Sequence, residues 1–241
     1  MKWDTPGDIE KRMRYARNCA LLALVFAITT SCSETLDPGV GSIGTLTHDP
    51  ILFVHGYGGS KANFDTMRQR FLDDGWKDYE LYSYNYSFID SNASSAAEIK
   101  DQVDRIIRTT GATKVDIIAH SMGSISSRYY LKNLGGSDNV DAWVSLAGPN
   151  HGTEDVENQK CAFTPCKEII PGSGFLLALN AVDETPGLTR YATWRSTCDT
   201  TIIPTESVIL FGATHNLSAC IVHFNFLTDP NIYQQVRAFV E

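Results

Sequence analysis

The chain has 241 residues, 43% of them hydrophobic and 20% charged, with a formal net charge of −8. This balance excludes a disordered chain and a collagen-like repeat. The acidic excess argues against nucleic acid as a partner, because phosphate binding calls for a basic face. No stretch reaches the roughly 18–20 apolar residues of a membrane-spanning helix.

Residues 1–18 carry Lys2, Lys11, Arg12, Arg14 and Arg17, and Cys19 to Thr30 is almost wholly apolar. A basic region followed by a run of about 7–15 apolar residues is the form of an export signal. Residues 1–32 are read as that signal and the protein as exported, either secreted or lipid-anchored at the cell envelope. Cys32 follows Thr29-Thr30-Ser31. Small residues before a cysteine, just past an apolar run, are how a bacterial lipoprotein signal looks, and a lipidated Cys32 would attach the chain to a membrane. Thr29 stands where that pattern prefers Leu, and ordinary cleavage nearby gives a soluble chain; both readings stay open. Residues 33–49 read as a linker and 50–241 as one domain, expected to be a monomer.

Removal of residues 1–32 leaves a net charge of −10 and the cysteines Cys161, Cys166, Cys198 and Cys220. Four cysteines in an exported chain suggest two disulfides, and of the three pairings the spacing favours Cys161–Cys166 and Cys198–Cys220. A zinc site is disfavoured, since only one pair is closely spaced and no His adjoins it. No metal and no cofactor are expected.

Ile51 to Val54 is a short apolar run ended by His55-Gly56, read as a buried strand. Phe64, Met67 and Phe71 follow at helical spacing. Glu80 to Tyr84 reads as a strand, and Ala96, Ile99, Val103, Ile106 and Ile107 form one helix face ended at Gly111. Lys114 to Ala119 is a strand, Ile125 to Leu134 a helix, and Ala142 to Ala147, Tyr191 to Ser196 and Ser207 to Phe211 further strands. Asn231 to Val240 is the last helix. Strands alternating with helices give an α/β fold with a mostly parallel sheet of about six strands and helices on both faces. Residues 149–190 are the least regular stretch. Gly174 to Leu179 is their only apolar helical candidate, and it is short for a mobile lid.

The sharpest chemical signal is Ala119-His120-Ser121-Met122-Gly123, between an apolar strand and a helix. This is a nucleophile elbow, a strained strand-to-helix turn that lifts the Ser121 hydroxyl above the sheet and leaves room only for small neighbours. The second is His55-Gly56-Tyr57-Gly58-Gly59, after the first strand. Such a loop presents backbone N–H groups to an oxyanion, and the two donors are assigned to Tyr57 and Met122. A phosphate loop would want Gly-Lys-Ser/Thr, which Ser60-Lys61 does not supply. His55 and His120 are read as orienting nearby backbone. His151 either lines the site or caps a loop.

From about Pro50 to the C-terminus the sequence resembles the α/β-hydrolases, and within them the small secreted bacterial lipases with a minimal sheet and no large lid. The two motifs above and Ala147-Gly148-Pro149-Asn150-His151-Gly152-Thr153 carry the resemblance. It implies a minimal α/β-hydrolase fold and hydrolysis of acylglycerol esters without a cofactor. The triad should run Ser, acid, His in chain order. The family carries its acid after a strand such as 191–196, which favours Asp199 over Asp183 and Glu184. His223 lies at the distance from the last helix, and in the apolar context, of the family's His; His215 is the rival. Asn225 departs from the Gly that relatives often have. The expected function is a serine hydrolase of lipase or esterase type using Ser121, His223 and Asp199 on a lipid ester. The alternatives are an acyltransferase with the same triad and a non-catalytic lipid-binding surface lipoprotein.

Overall fold

The computed structural model describes residues 44–156 and 162–241. Residues 1–32, expected to form an export signal, with Cys32, most of the expected linker 33–49, and Cys161 lie outside the described residues. Among the described residues no helix is long and apolar enough to cross a membrane.

Six strands form one sheet: β1 (Ile51–Val54), β2 (Leu81–Ser83), β3 (Val115–His120), β4 (Val140–Leu146), β5 (Arg190–Arg195) and β6 (Thr214–Leu217). Their spatial order is β2-β1-β3-β4-β5-β6, and every neighbouring pair is parallel. The helices are α1 (Asp65–Asp73), α2 (Asn92–Thr110), α3 (Met122–Asn133), α4 (Thr164–Glu168), α5 (Gly174–Asn180) and α6 (Pro230–Val240).

The inner strands β1, β3 and β4 are buried almost throughout, so they read as largely apolar runs, and the period of two sends alternate residues to opposite cores. Ile51, Phe53, Ile118, Val144 and Trp194 pack with Phe64, Met67 and Phe71 at and in α1 and Ile232, Tyr233 and Val236 of α6. Leu52, Val54, Ile117, Ala119 and Trp143 face the other way, onto Ala96, Ile99 and Val103 of α2 and Tyr130 and Leu131 of α3. Helix α2 starts where the Ser91 hydroxyl accepts the Ser94 N–H, and it stops at Gly111 in the left-handed conformation. Both ends follow the capping rules.

The sheet departs from expectation at its last strand. Residues 207–211 are not a strand: Thr205–Val208 is a 3₁₀ turn that follows Pro204, with the Ser207 N–H bonded to Pro204 O and the Ile209 N–H to Glu206 O. Val208 and Leu210 are buried, which accounts for the apolar run. The sixth strand is the polar, mostly exposed edge segment Thr214–Leu217.

Helix α5 buries Leu176 and Leu179 against Met122 and Ile125 of α3, and Leu177 faces solvent. Cys166 is buried in the same cluster and is disulfide-bonded; its expected partner, Cys161, lies outside the described residues.

Candidate active site

The elbow follows directly from β3. Its strand is buried at every residue, and the Ser121 N–H extends the ladder to Leu146 O at 2.9 Å. The chain must then turn at once into α3, and Ser121 does so with φ 53° and ψ −130°. A non-glycine residue there is strained, and such strain persists only where the surroundings over-determine it. They do so through close backbone contact. A Cβ on Gly123 would stand 2.4 Å from His55 O and 2.6 Å from Val54 O. One on Gly56 would stand 2.7 Å from Ser121 Cβ. Gly56 and Gly123 are therefore needed for the two loops to touch.

Asp199 lies just after β5 and is buried. One carboxylate oxygen, Oδ1, accepts the N–H groups of Thr201 (2.8 Å) and Ile202 (3.2 Å). The other, Oδ2, lies 2.9 Å from His223 Nδ1. His223 opens a 3₁₀ turn, His223–Leu227, ahead of α6. Its Nε2 lies 2.9 Å from Ser121 Oγ. Burial pushes the Asp199 carboxyl up, but the bond and charge of His223 and the two N–H donors outweigh it, so it sits below the ordinary carboxylate range. A disulfide joins Cys198 to Cys220, with Cα atoms 5.0 Å apart, and ties the loop of Asp199 to that of His223.

A cavity of about 220 Å³ opens over this chain of bonds, lined by Gly56, Tyr57, Asn63, Ser121, His223 and Phe224, among others. Tyr57 thus borders the space above Ser121, and Met122 opens α3, where the first N–H groups of a helix have no partner within it. His55 is buried, keeps an Nδ1–Gly56 O contact of 2.9 Å, and stacks on Tyr86, whose hydroxyl donates to His55 O. Burial holds its basicity below the usual value.

The rival residues lie elsewhere. His215 is in the edge strand β6, paired with Thr193. Glu184 accepts from the Phe211 N–H at 2.7 Å and lies 2.7 Å from His151 Nε2; Asp183 accepts the Thr185 N–H. His151 therefore braces a loop and does not line the cavity.

Thr153 supports the site from outside the chain of contacts, with no pattern of its own in the sequence. Its hydroxyl donates to Thr201 O (2.8 Å) and accepts the Ile203 N–H (3.0 Å), so it fixes the segment whose N–H groups hold Asp199. Asn150 of the same motif is fully buried and donates to Val208 O. The motif was visible in the sequence; its partners, about fifty residues away, were not.

Among the described residues, the carboxylates close enough to share a cation are Asp49, Asp116 and Asp141. They sit at the opposite end of the sheet, where Asp116 accepts the Ala142 N–H and Arg190 pairs with Asp141.

The fold and this arrangement define an α/β-hydrolase. Residues 48–218 match the model of the family Lipase (class 2), and the chain belongs to that family. The match includes Ser121 and Asp199 and ends before His223. A triacylglycerol lipase of Pseudomonas fragi is 29% identical over 124 residues, 49% of this chain and 41% of that lipase, so this chain covers less than half of that relative. The mature-form lipase of Bacillus licheniformis is similar in fold, with a TM-score of 0.69 at 15% identity, over 82% of this chain and 96% of that one. Lipase B of Aspergillus fumigatus gives 0.68 at 15% identity, over 77% and 51%.

Proposed function

We propose that this protein is an extracytoplasmic carboxylic ester hydrolase of lipase or esterase type, with Ser121 as nucleophile, His223 as general base and acid, and Asp199 as the residue that orients it. The observation that carries the reading is the unbroken pair of contacts, Ser121 Oγ to His223 Nε2 and His223 Nδ1 to Asp199 Oδ2, each 2.9 Å. The acid is held as an anion, so Nδ1 of His223 keeps its proton and Nε2 is free to accept one.

In the first half-reaction Ser121 Oγ attacks the ester carbonyl while His223 Nε2 takes its proton. The negative oxygen is received by the backbone N–H groups of Tyr57 and Met122. Removal of one such donor typically costs about 3–4 kcal/mol in the barrier. His223 then gives the proton to the departing alcohol. Water, deprotonated by the same Nε2, releases the acid from Ser121. Asp199 stabilises the imidazolium in both halves and takes no proton itself. No step calls for a cofactor.

The location outside the cytoplasm is supported by the basic and apolar segments of residues 1–32 and by the Cys198–Cys220 disulfide, a bond that persists in oxidising compartments. Intact mass of the exported protein separates a lipidated Cys32 from a soluble cleaved chain. The substrate class is a short- or medium-chain acyl ester. This is supported by α5, which packs on α3 and does not line the cavity.

The test is the rate on p-nitrophenyl esters of increasing chain length, with wild type and Ser121→Ala. The reading expects the variant to lose several powers of ten in kcat with its fold intact. Activity within tenfold of wild type would remove Ser121 from the chemistry. Faster formation of a new ester than of free acid, when an alcohol is added, would make the protein an acyltransferase.

A further inference from the structure

The Ser121 hydroxyl is not the only group of the elbow that meets His223. His120, the preceding residue, places its Nε2 2.9 Å from the main-chain oxygen of His223, and the two rings lie 4.7 Å apart. A carbonyl oxygen can only accept, so this contact makes His120 Nε2 the protonated nitrogen. The dipeptide 120–121 therefore grips one residue, more than a hundred positions away in the chain, at two points: Ser121 meets its side chain and His120 its backbone.

We propose that His120 is a positioning residue for the base: its Nε2–H, donated to His223 O, holds the His223 loop at the height where the imidazole reaches Ser121. The inference rests on the triad reading of the site. The disulfide does not supply the same restraint, because Cys220 anchors the loop three residues before His223 and attaches it to Cys198, not to the elbow. His120 is only 2% exposed and lies on β3, whose six residues are all buried, so the anchor is as stiff as the core. Its ring also lies 5.8 Å from that of Phe224, which stands edge-on to His223 and closes the outer side. Burial first, and the neighbouring His223 second, lower its pKa to about 3, so it remains a neutral donor while His223 exchanges protons.

A base displaced by about 1 Å loses on the order of 100-fold in rate. The test compares His120→Leu, which fills the space without a donor, with His120→Gln, whose side-chain amide can donate to the same carbonyl. Steady-state kinetics on a soluble p-nitrophenyl ester and thermal melts are recorded for both, beside Ser121→Ala. The expected result is a folded Leu variant with kcat lowered roughly 10- to 100-fold and KM within about twofold of wild type, and a Gln variant that recovers most of kcat. A Leu variant with undiminished kcat, a Gln variant as slow as Leu, or a Leu variant that does not fold would each overturn the proposal, the last because it would make His120 a packing residue. Ester hydrolysis that survives Ser121→Ala would instead overturn the site reading, whatever the His120 variants do.

Discussion

Ser121 and Gly56 follow strands in which every residue is buried, whereas Asp199 and His223 stand on loops at the side of the sheet that ends in the exposed strand β6. The half that holds Ser121 is fixed by backbone: β1 and β3 pair in register, and Gly56 and Gly123 let their following loops touch. The half that holds Asp199 and His223 is fixed through side chains: the Cys198–Cys220 bond, the Thr153 hydroxyl and the Asp199 carboxylate, which accepts two backbone N–H groups. A backbone-built half can be disabled only at its reacting atom or by disturbing the core. A half built from side chains has several separate points of failure, each removable while the sheet stays folded.

The largest effect should come at the base. His223→Ala is expected to lose several powers of ten in kcat, while His215→Ala in β6 keeps most of it; initial rates on one ester decide between the loops. The reverse order would place the base on the edge strand.

The disulfide is the next point of failure. It closes a loop with a sequence separation of 22. Such a bond is worth roughly 3 kcal/mol, a fall of about 6–12 °C in Tm on reduction. Activity should fall together with Tm, because the bond carries both the acid and the base loop. Thiol mapping of the protein purified without reductant that finds Cys198 and Cys220 free would contradict the clamp.

Thr153→Val should act more mildly. It leaves the Ile203 N–H and Thr201 O without their buried partner, a cost of about 1–3 kcal/mol. Thr153→Ser should restore both stability and rate. A Ser variant that loses stability while the Val variant keeps it would show that the methyl group, not the hydroxyl, matters.

Acid should expose a further difference. His55 and His120 have pKa values lowered by burial, so the unfolded chain binds their protons first. Their contribution is complete above the unfolded value near 6.5 and declines as pH falls, for His120 toward about 3. Asp199, held below its ordinary value, adds stability above about 3.9 that is lost on further acidification. Denaturant titrations at neutral and mildly acidic pH should show the loss, and His120→Gln should flatten it. The smallest effect belongs to α5: Leu177→Ser, at an exposed position, should change stability by no more than about 0.5 kcal/mol and leave the rate without a jump at the substrate's solubility limit. A jump that the substitution abolishes would make α5 a lid.

The contrast between the halves also explains what could be read from sequence. Ile51 to Val54 and Val115 to His120 announce themselves because strands buried on both faces are mostly apolar, with only Asp116 and His120 breaking the run in the second. Small residues in the following motifs mark where backbones touch. Strand β6 could not be seen, since Thr214-His215-Asn216-Leu217 is an edge with little to bury, while Val208 and Leu210 supply apolar side chains from a turn. His223 was legible through its distance from the last helix. Thr153 was not, because a hydroxyl that serves a loop fifty residues away leaves no local pattern.

The assignment of Ser121 as nucleophile and of His223 as the group that activates it meets its sharpest test in mass spectrometry of the protein after reaction with a phosphonate ester that traps active-site serines. One adduct per chain is expected, on Ser121, forming at nearly the wild-type rate in His215→Ala and far more slowly in His223→Ala. An adduct on another residue, or labelling of Ser121 at an undiminished rate without His223, would contradict that assignment.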